Sequence, residues 1–311
     1  MGLPTTATPK LINLVPAAHT PFGPDGLLNL AAIEKQVIHL SGNGIRIAFV
    51  GGSTGESHSL TGEERRQLAQ RWAEVTRGTD LRFVVHVGSN SLAEARELAA
   101  HAEGVGALAI SALSPSYFKP PTLDALISSC AEIADAAPNT PFYFYDIPSL
   151  TGVSFSMPEF LERAPERVAT LAGLKFTNSD LMSYQLCLRV SDSRFDVPYG
   201  TDEWLLAAWA LGARGAVGST YNFAAPIYTR LIAAWERGDV ASAREEQFRS
   251  VQLVRILQRR GFLAGSKAVM RMIGIDVGAV RLPLATLGED ETKALRRELD
   301  EVGFFGWIQR R

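Results

Sequence analysis

Cysteines and long apolar runs are scarce in this sequence. Its 311 residues include two cysteines, Cys130 and Cys187, which lie in helix-like stretches without the spacing of metal ligands. We therefore predict two buried free thiols in a reducing compartment. No run approaches the ~18 consecutive apolar residues of a membrane-spanning helix, and the first residues lack the apolar core of a signal peptide. These absences predict a cytoplasmic protein with no membrane partner.

A surplus of one charge is also missing. The 31 Lys and Arg residues are balanced by 33 Asp and Glu residues, which gives a formal net charge of −2. Without a basic surplus to neutralise phosphates, we predict no nucleic-acid partner. The sequence lacks HExxH, CxxC and GxGxxG dinucleotide-binding motifs, and its five histidines show no ligand spacing. We therefore predict no metal and no redox cofactor.

Short apolar runs alternate with helix-like stretches over most of the chain. The runs are rich in β-branched or aromatic residues and cover residues 12–17, 45–50, 83–87, 107–111, 142–145, 171–176, 195–199 and 215–218. Strands that are apolar on both faces and separated by helices indicate a parallel sheet. Eight repeats of strand then helix predict an α/β fold closed into a (β/α)8 TIM barrel. The run at 215–218 is the weakest, because glycine is a poor strand former.

The alternation stops after Tyr221. Residues 225–237, 240–260, 266–273 and 289–302 have the apolar spacing of helices. We therefore predict two parts, a barrel over residues 8–225 that carries the active site and a C-terminal helical region over residues 226–311.

Polar residues collect in the loops that follow the predicted strands, where a (β/α)8 barrel carries its active site. Lys175 is the most informative, because it lies near the end of an apolar run. Loss of hydration there favours the neutral amine that a nucleophile needs. A buried ion pair with a carboxylate such as Asp202 is the alternative. The other five lysines lie in polar or terminal contexts or, for Lys267, on a helix from which the side chain can reach water.

Other strand-end residues have two interpretations each. The glycine-flanked pair Ser53 and Thr54 can hold an anion through backbone N–H groups and hydroxyls, or can form a plain tight turn. Tyr145 can shuttle a proton beside a neutral amine, or can be a core aromatic with its hydroxyl at the rim. Asp202 and Glu203 begin a predicted helix, where acidic residues are expected for capping and dipole reasons alone.

Four motifs occur in a recognisable order and spacing. They are GGSTGE at 51–56, YDIP at 145–148, GLKFT at 173–177 and GSTYN at 218–222. Together they resemble the pyruvate-dependent class I aldolases, the family of the dihydrodipicolinate synthases and N-acetylneuraminate lyases. The likeness covers about residues 15–287 and is closer to the lyase branch, whose motif is similar to IPSLTGV at 147–153. The resemblance implies a barrel with three C-terminal helices, usually a tetramer, that acts on pyruvate and sialic acid without a cofactor.

The resemblance also implies a role for each matching residue. Lys175 would form an imine with pyruvate, and Tyr145 would relay a proton. Ser53 and Thr54 would hold the pyruvate carboxylate. The residues that would line the sugar pocket are Thr177, Gly200, Asp202, Glu203 and Ser219. Tyr117 would reach towards the site of a neighbouring subunit.

One position separates the two branches. The synthases carry an arginine two residues after the proline of their Tyr-Asn-x-Pro motif, where it grips a substrate carboxylate, and Leu150 stands at this position. An apolar side chain cannot make that charge-assisted contact. Asp146 in place of the usual asparagine and Phe176 after the lysine are departures that bear on which acyl sugar is bound.

The sequence therefore predicts an aldol lyase that cleaves N-acetylneuraminate. The first alternative is another pyruvate-dependent aldolase, such as a dihydrodipicolinate synthase or a 2-keto-3-deoxy sugar acid aldolase. The second is a non-catalytic protein that binds keto acids or sugars on the same fold, because a fold does not guarantee activity.

Overall fold

Parallel strands alternate with helices in the computed structural model, which describes residues 10–309. The strands are β1 (Asn13–Pro16), β2 (Ile47–Val50), β3 (Arg82–His86), β4 (Ala109–Leu113), β5 (Phe142–Asp146), β6 (Leu171–Phe176) and β7 (Gly215–Gly218). The helices up to β7 are α1 (Ala32–Gly42), α2 (Gly62–Thr76), α3 (Leu92–Gly104), α4 (Leu123–Asp135), α5 (Pro148–Thr151), α6 (Met157–Arg163), α7 (Leu181–Cys187) and α8 (Leu205–Leu211). The helices after β7 are α9 (Tyr221–Glu236), α10 (Val240–Gln258), α11 (Phe262–Met272), α12 (Glu289–Glu301) and α13 (Phe304–Trp307).

The strands close into a ring. Strands β2 to β6 form one parallel sheet in chain order, and β1 pairs with β7. Ala17 bridges to Phe49 on one side of the β1–β7 pair. Tyr199 bridges to both Phe176 and Ala216 on the other side. The prediction of a (β/α)8 barrel followed by helices is confirmed.

Residues 195–199 depart from the predicted regular strand. Asp196 and Tyr199 make single bridges to their neighbours instead of a continuous ladder. Pro198 has no N–H to donate, although its carbonyl accepts a hydrogen bond from the Phe176 N–H at 2.9 Å. This segment therefore fills the gap between β6 and β7 without forming a regular strand. The glycine-containing run at 215–218, in contrast, is the regular strand β7.

The helices after β7 do not repeat the strand–helix pattern. Helix α9 follows β7 directly and spans the predicted boundary between residues 225 and 226. Helix α10 packs along α9 and also contacts α11 and α12. The division at that boundary stays a prediction, and its residues 8, 9, 310 and 311 lie outside the described part of the chain.

Local sequence features account for individual elements. Thr61 and Glu64 form the capping box that their spacing indicates at the start of α2, with the Glu64 N–H donating to the Thr61 hydroxyl at 3.2 Å. Cys130 and Cys187 are buried free thiols, as predicted. Burial raises the pKa of both, which makes them poor nucleophiles.

Candidate active site

A cavity of about 520 Å³ lies at the carboxyl ends of the strands. Nearly all of the site residues predicted from the sequence line it, namely Ser53, Thr54, Tyr145, Lys175, Thr177, Gly200, Asp202, Glu203 and Ser219. The strand ends bring these residues together from positions far apart in the chain, because parallel strands of a barrel all end at one face.

Lys175 extends from β6 into this cavity and is 3% exposed. Its Nζ lies 3.9 Å from the ring centroid of Tyr145 and 4.5 Å from that of Phe49. Within residues 10–309, no carboxylate lies within the 4.0 Å of an ion pair with this amine. The alternative of an ion pair with Asp202 is therefore not observed. The amine lies over two aromatic rings and is left available to a ligand in the cavity.

Tyr145 lies between Lys175 and the turn of residues 51–56. Its ring packs edge-on against Phe49 and His86, with centroid distances of 5.9 Å in both pairs. Its hydroxyl oxygen lies 3.4 Å from Ser53 Oγ. The ring belongs to the barrel interior while Tyr145 also lines the cavity. The interpretation as a core aromatic at the rim is therefore met, and the role as a proton shuttle stays a prediction.

The turn of residues 51–56 places two hydroxyls on the cavity wall. Gly51 has a φ of +67°, in the left-handed region that glycine adopts without strain. Gly52 has no room for a side chain, because a Cβ would lie 2.7 Å from the Phe49 ring. Thr54 Oγ1 lies 2.6 Å from Ser219 Oγ, which ties the turn to the end of β7. This shape leaves Ser53, Thr54 and the adjacent N–H groups able to bind an anion.

Asp202 is engaged in the structure of the barrel mouth as well as lining the cavity. Its Oδ2 accepts hydrogen bonds from the Thr220 N–H at 2.8 Å and from the Thr220 hydroxyl at 2.6 Å. Thr220 directly precedes α9 as its N-cap residue, so the Asp202 side chain holds the start of that helix. Burial raises the pKa of Asp202, against the effect of these hydrogen bonds.

Two further predicted residues offer free polar groups. Burial raises the pKa of Glu203, and the neighbouring Asp202 adds to the shift. Thr177 Oγ1 is buried without a hydrogen-bond partner in the described chain. Any side chain at Gly200 would overlap this hydroxyl, which explains the glycine there. An unsatisfied buried hydroxyl on a cavity wall is a group that a polar ligand can satisfy.

Tyr117 and Leu150 are not part of the cavity wall. Tyr117 is 79% exposed, and its ring packs edge-on against Phe118 at 5.0 Å. Leu150 is 64% exposed and lies one residue beyond Ser149, which does line the cavity. Both therefore lie outside the site formed by this chain alone.

Sequence reasoning missed several residues of the site. Val254, Gln258 and Phe262 from α10 and α11 line the cavity, although these helices were expected only to follow the barrel. The spacing of Val254 and Gln258, four apart on one helix, places them on the same face and is a signal that a sequence can show.

His86 was also missed. Its Nδ1 lies 3.0 Å from the Gly51 carbonyl oxygen, so the neutral ring can donate a proton there and fix the start of the turn. Burial and the charge of Arg65 hold the pKa of His86 well below its usual range.

Lys267 corrects an expectation. The sequence suggested a side chain that reaches water, but Lys267 is 2% exposed and its Nζ lies 2.6 Å from Glu56 Oε1. The reason is that α11 packs against the turn of residues 51–56, which the sequence does not reveal.

Residues 10–309 contain no cluster of three His, Cys, Asp or Glu side chains arranged to hold a metal ion. None of the helices in this range has both the length and the apolar character needed to cross a membrane.

Comparison with known proteins agrees with the geometry. The model of the dihydrodipicolinate synthetase family matches residues 10–302. The N-acetylneuraminate lyase of Gallus gallus is 39% identical over 301 residues, which covers 96% of this chain and 98% of that protein. N-acetylneuraminate lyase A of Xenopus laevis is 43% identical over 279 residues, 88% of this chain and 91% of that protein. The solved structure of Proteus mirabilis N-acetylneuraminate lyase superposes with a TM-score of 0.92 at 38% identity and covers 95% of this chain and 100% of that one. The chain belongs to the dihydrodipicolinate synthetase family.

Proposed function

We propose that this protein is a carbon–carbon lyase that cleaves N-acetylneuraminate to N-acetylmannosamine and pyruvate through an imine at Lys175. The observation that carries the proposal is the buried Lys175 amine, which has no ion-pair partner in the described chain and lies 3.9 Å from the Tyr145 ring in a cavity of about 520 Å³. Relatives that are 39% and 43% identical over most of the chain are named N-acetylneuraminate lyases, which supports the same reaction.

The reaction begins at the keto group of the open-chain sugar acid. The neutral Lys175 amine attacks the C2 carbon, and loss of water gives a protonated imine. Tyr145 takes the proton of the C4 hydroxyl while it passes its own phenolic proton to the substrate carboxylate held beside it at Ser53. The C3–C4 bond breaks, and its electron pair moves into the imine to form an enamine. The aldehyde sugar leaves, the enamine is protonated at C3, and water releases pyruvate and the free amine. Acid–base catalysis of this kind contributes on the order of 10²–10⁴-fold.

The two ends of the cavity suit the two halves of this substrate. Ser53 and Thr54 present hydroxyls and backbone N–H groups to the carboxylate, which fixes the keto carbon for attack. At the other end, the polar groups available to sugar hydroxyls belong to Thr177, Asp202, Glu203 and Ser219. The buried Thr177 hydroxyl, which has no hydrogen-bond partner within residues 10–309, supports this assignment most directly.

The proposal includes a homotetramer in the cytoplasm. Tyr117 and Phe118 form an exposed pair of aromatic rings, a surface that subunit contact would cover. Two buried free thiols fit a reducing compartment. Light scattering on wild type and on a Tyr117→Ser, Phe118→Ser variant tests the assembly, since the variant should dissociate to smaller species. A monomeric wild type would overturn this part of the proposal.

Borohydride trapping tests the chemistry. With pyruvate present, borohydride should inactivate the protein and add one pyruvate-derived mass at Lys175, which peptide mass spectrometry locates. Labelling at another lysine, or none, would refute the imine mechanism. A panel of sialic acids and other 2-keto acids, with pyruvate release as the readout, then tests which aldehyde the protein releases. Efficient condensation of pyruvate with aspartate semialdehyde and no cleavage of sialic acid would favour the synthase alternative.

A further inference from the structure

A buried ion pair lies directly behind the turn of residues 51–56. Lys267 Nζ from α11 lies 2.6 Å from Glu56 Oε1, and both side chains are 1% exposed. Neither residue lines the cavity of the active site. The pair therefore joins the C-terminal helices to the last residue of the turn without reaching a substrate.

Both charged groups of the pair have further polar contacts. Lys267 Nζ donates to the carbonyl oxygens of Thr20 at 2.9 Å and Ala279 at 2.8 Å, in addition to its ion pair with Glu56. The second carboxylate oxygen of Glu56 accepts from the Arg281 N–H at 2.8 Å. Burial lowers the pKa of Lys267, and the charge of Glu56 opposes this. These contacts hold both charged groups in place between α11 and the turn of residues 51–56.

These contacts act on both sides of the turn. Glu56 has a φ of +55°, which is strained for a residue with a side chain, so outside contacts must hold it there. Its N–H donates to the Ser53 carbonyl at 3.1 Å. Thr20, whose carbonyl binds Lys267, donates its own hydroxyl to the Gly55 carbonyl at 2.6 Å. The ammonium group of Lys267 thus holds the two segments that determine the shape of the turn.

We propose that Glu56 and Lys267 are positioning residues that hold Ser53 and Thr54 in the conformation that binds the carboxylate of the substrate. The inference rests on the proposed function, since it assumes that the turn binds a carboxylate. It gives the C-terminal helices an indirect part in substrate binding, because Lys267 of α11 holds the turn of residues 51–56 from behind. Loss of the pair should weaken carboxylate binding while Lys175 keeps its reactivity.

The test compares pyruvate with acetone, a ketone that lacks the carboxylate. In Glu56→Gln, the dissociation constant of pyruvate, measured by calorimetry, should rise roughly 10-fold or more, the scale of a lost charge-assisted hydrogen bond. Borohydride trapping of acetone at Lys175 should stay within about 2-fold of wild type, because acetone does not use the turn. Thr20→Val, which removes only the hydroxyl bond to Gly55, should shift pyruvate binding in the same direction and serves if Glu56→Gln folds poorly.

Glu246→Gln is the matched control. Glu246 is a buried carboxylate of α10 that pairs with Arg230 at 2.8 Å, away from the turn. The Glu246→Gln variant should keep the wild-type values of pyruvate binding and of acetone trapping once both are expressed per folded protein. Three results would overturn the positioning role. One is an equal loss of pyruvate binding and acetone trapping in Glu56→Gln. The others are unchanged pyruvate binding in both Glu56→Gln and Thr20→Val, and a shift in Glu246→Gln as large as that in Glu56→Gln. If borohydride does not trap pyruvate on the wild-type protein, the imine chemistry is wrong. The positioning role is still tested in that case, because calorimetry measures the binding of pyruvate whether or not an imine forms.

Discussion

Two buried lysines should respond in opposite directions to the same substitution. Lys175 and Lys267 are 3% and 2% exposed, so both side chains are removed from water to a similar extent. Lys267 has a carboxylate at 2.6 Å and two carbonyl oxygens, whereas Lys175 has two aromatic faces and no carboxylate partner in the described chain. Methionine has nearly the same length as lysine and carries no charge.

The magnitudes follow from these surroundings. Lys267→Met leaves the buried Glu56 carboxylate uncompensated, which costs about 3–5 kcal/mol of stability. Lys175→Met replaces a buried amine that has no ion-pair partner in the described chain, and leaving such a polar group unsatisfied costs about 1–3 kcal/mol. The net gain should be about 1–2 kcal/mol. At about 2 °C per kcal/mol for a chain of this size, Tm should fall by about 6–10 °C in Lys267→Met and rise by about 2–4 °C in Lys175→Met.

Thermal and urea unfolding without pyruvate measure both changes. Lys293→Met is the control, because its side chain is 63% exposed on α12 and its removal should change stability by less than about 0.5 kcal/mol. Lys175→Met should also abolish borohydride trapping. A destabilisation of Lys175→Met as large as that of Lys267→Met would show that the Lys175 amine has a stabilising partner, and the argument for a free nucleophile would then be wrong.

Three more predictions concern the proton, the aldehyde and pH. Tyr145→Phe should keep its ring packing and its imine trapping but lose roughly 10²-fold or more in turnover, and full turnover would assign the proton to another group. Leu150→Arg should gain condensation of pyruvate with aspartate semialdehyde and lose sugar cleavage, whereas Glu203→Ala should raise only the KM for sialic acid. Unchanged kinetics in both variants would show that neither residue selects the aldehyde. Burial raises the pKa of Asp146 to about 6, so the native state binds protons more tightly than the unfolded chain and loses stability as pH rises from about 4 to 6. Asp146→Asn should therefore raise the free energy of unfolding by up to about 3 kcal/mol at pH 7.5 and by almost nothing below pH 4, and a gain independent of pH would contradict the carboxylate as its cause.

The sequence predicts the barrel and the polar residues at its mouth because both depend on local patterns. Alternating strand and helix runs determine where Lys175 and Tyr145 lie, since parallel strands all end at one face. The irregular segment around Pro198 was harder to foresee, because its composition is that of a strand and only the missing N–H breaks the ladder.

Contacts between distant segments could not be predicted. Lys267 lies more than two hundred residues after Glu56, and nothing near either residue indicates that α11 packs on the turn. Asp202 begins the short helix of residues 202–204, as expected, but its side chain binds Thr220 at the start of another helix. In both cases the residue type is informative and its partner is set by tertiary packing.

The residues of α10 and α11 that line the cavity form its helical wall. Because they stand on other elements than Lys175 and Tyr145, the range of substrates can change independently of the bond-breaking chemistry. Val254, Gln258 and Phe262 reach the cavity from α10 and α11, while Lys175 and Tyr145 stand on barrel strands. Substitutions on the helical wall reshape the cavity and leave the strand ladder and the amine untouched. Natural drift or directed evolution can therefore explore new aldehydes at these three positions with little danger of losing the reaction itself.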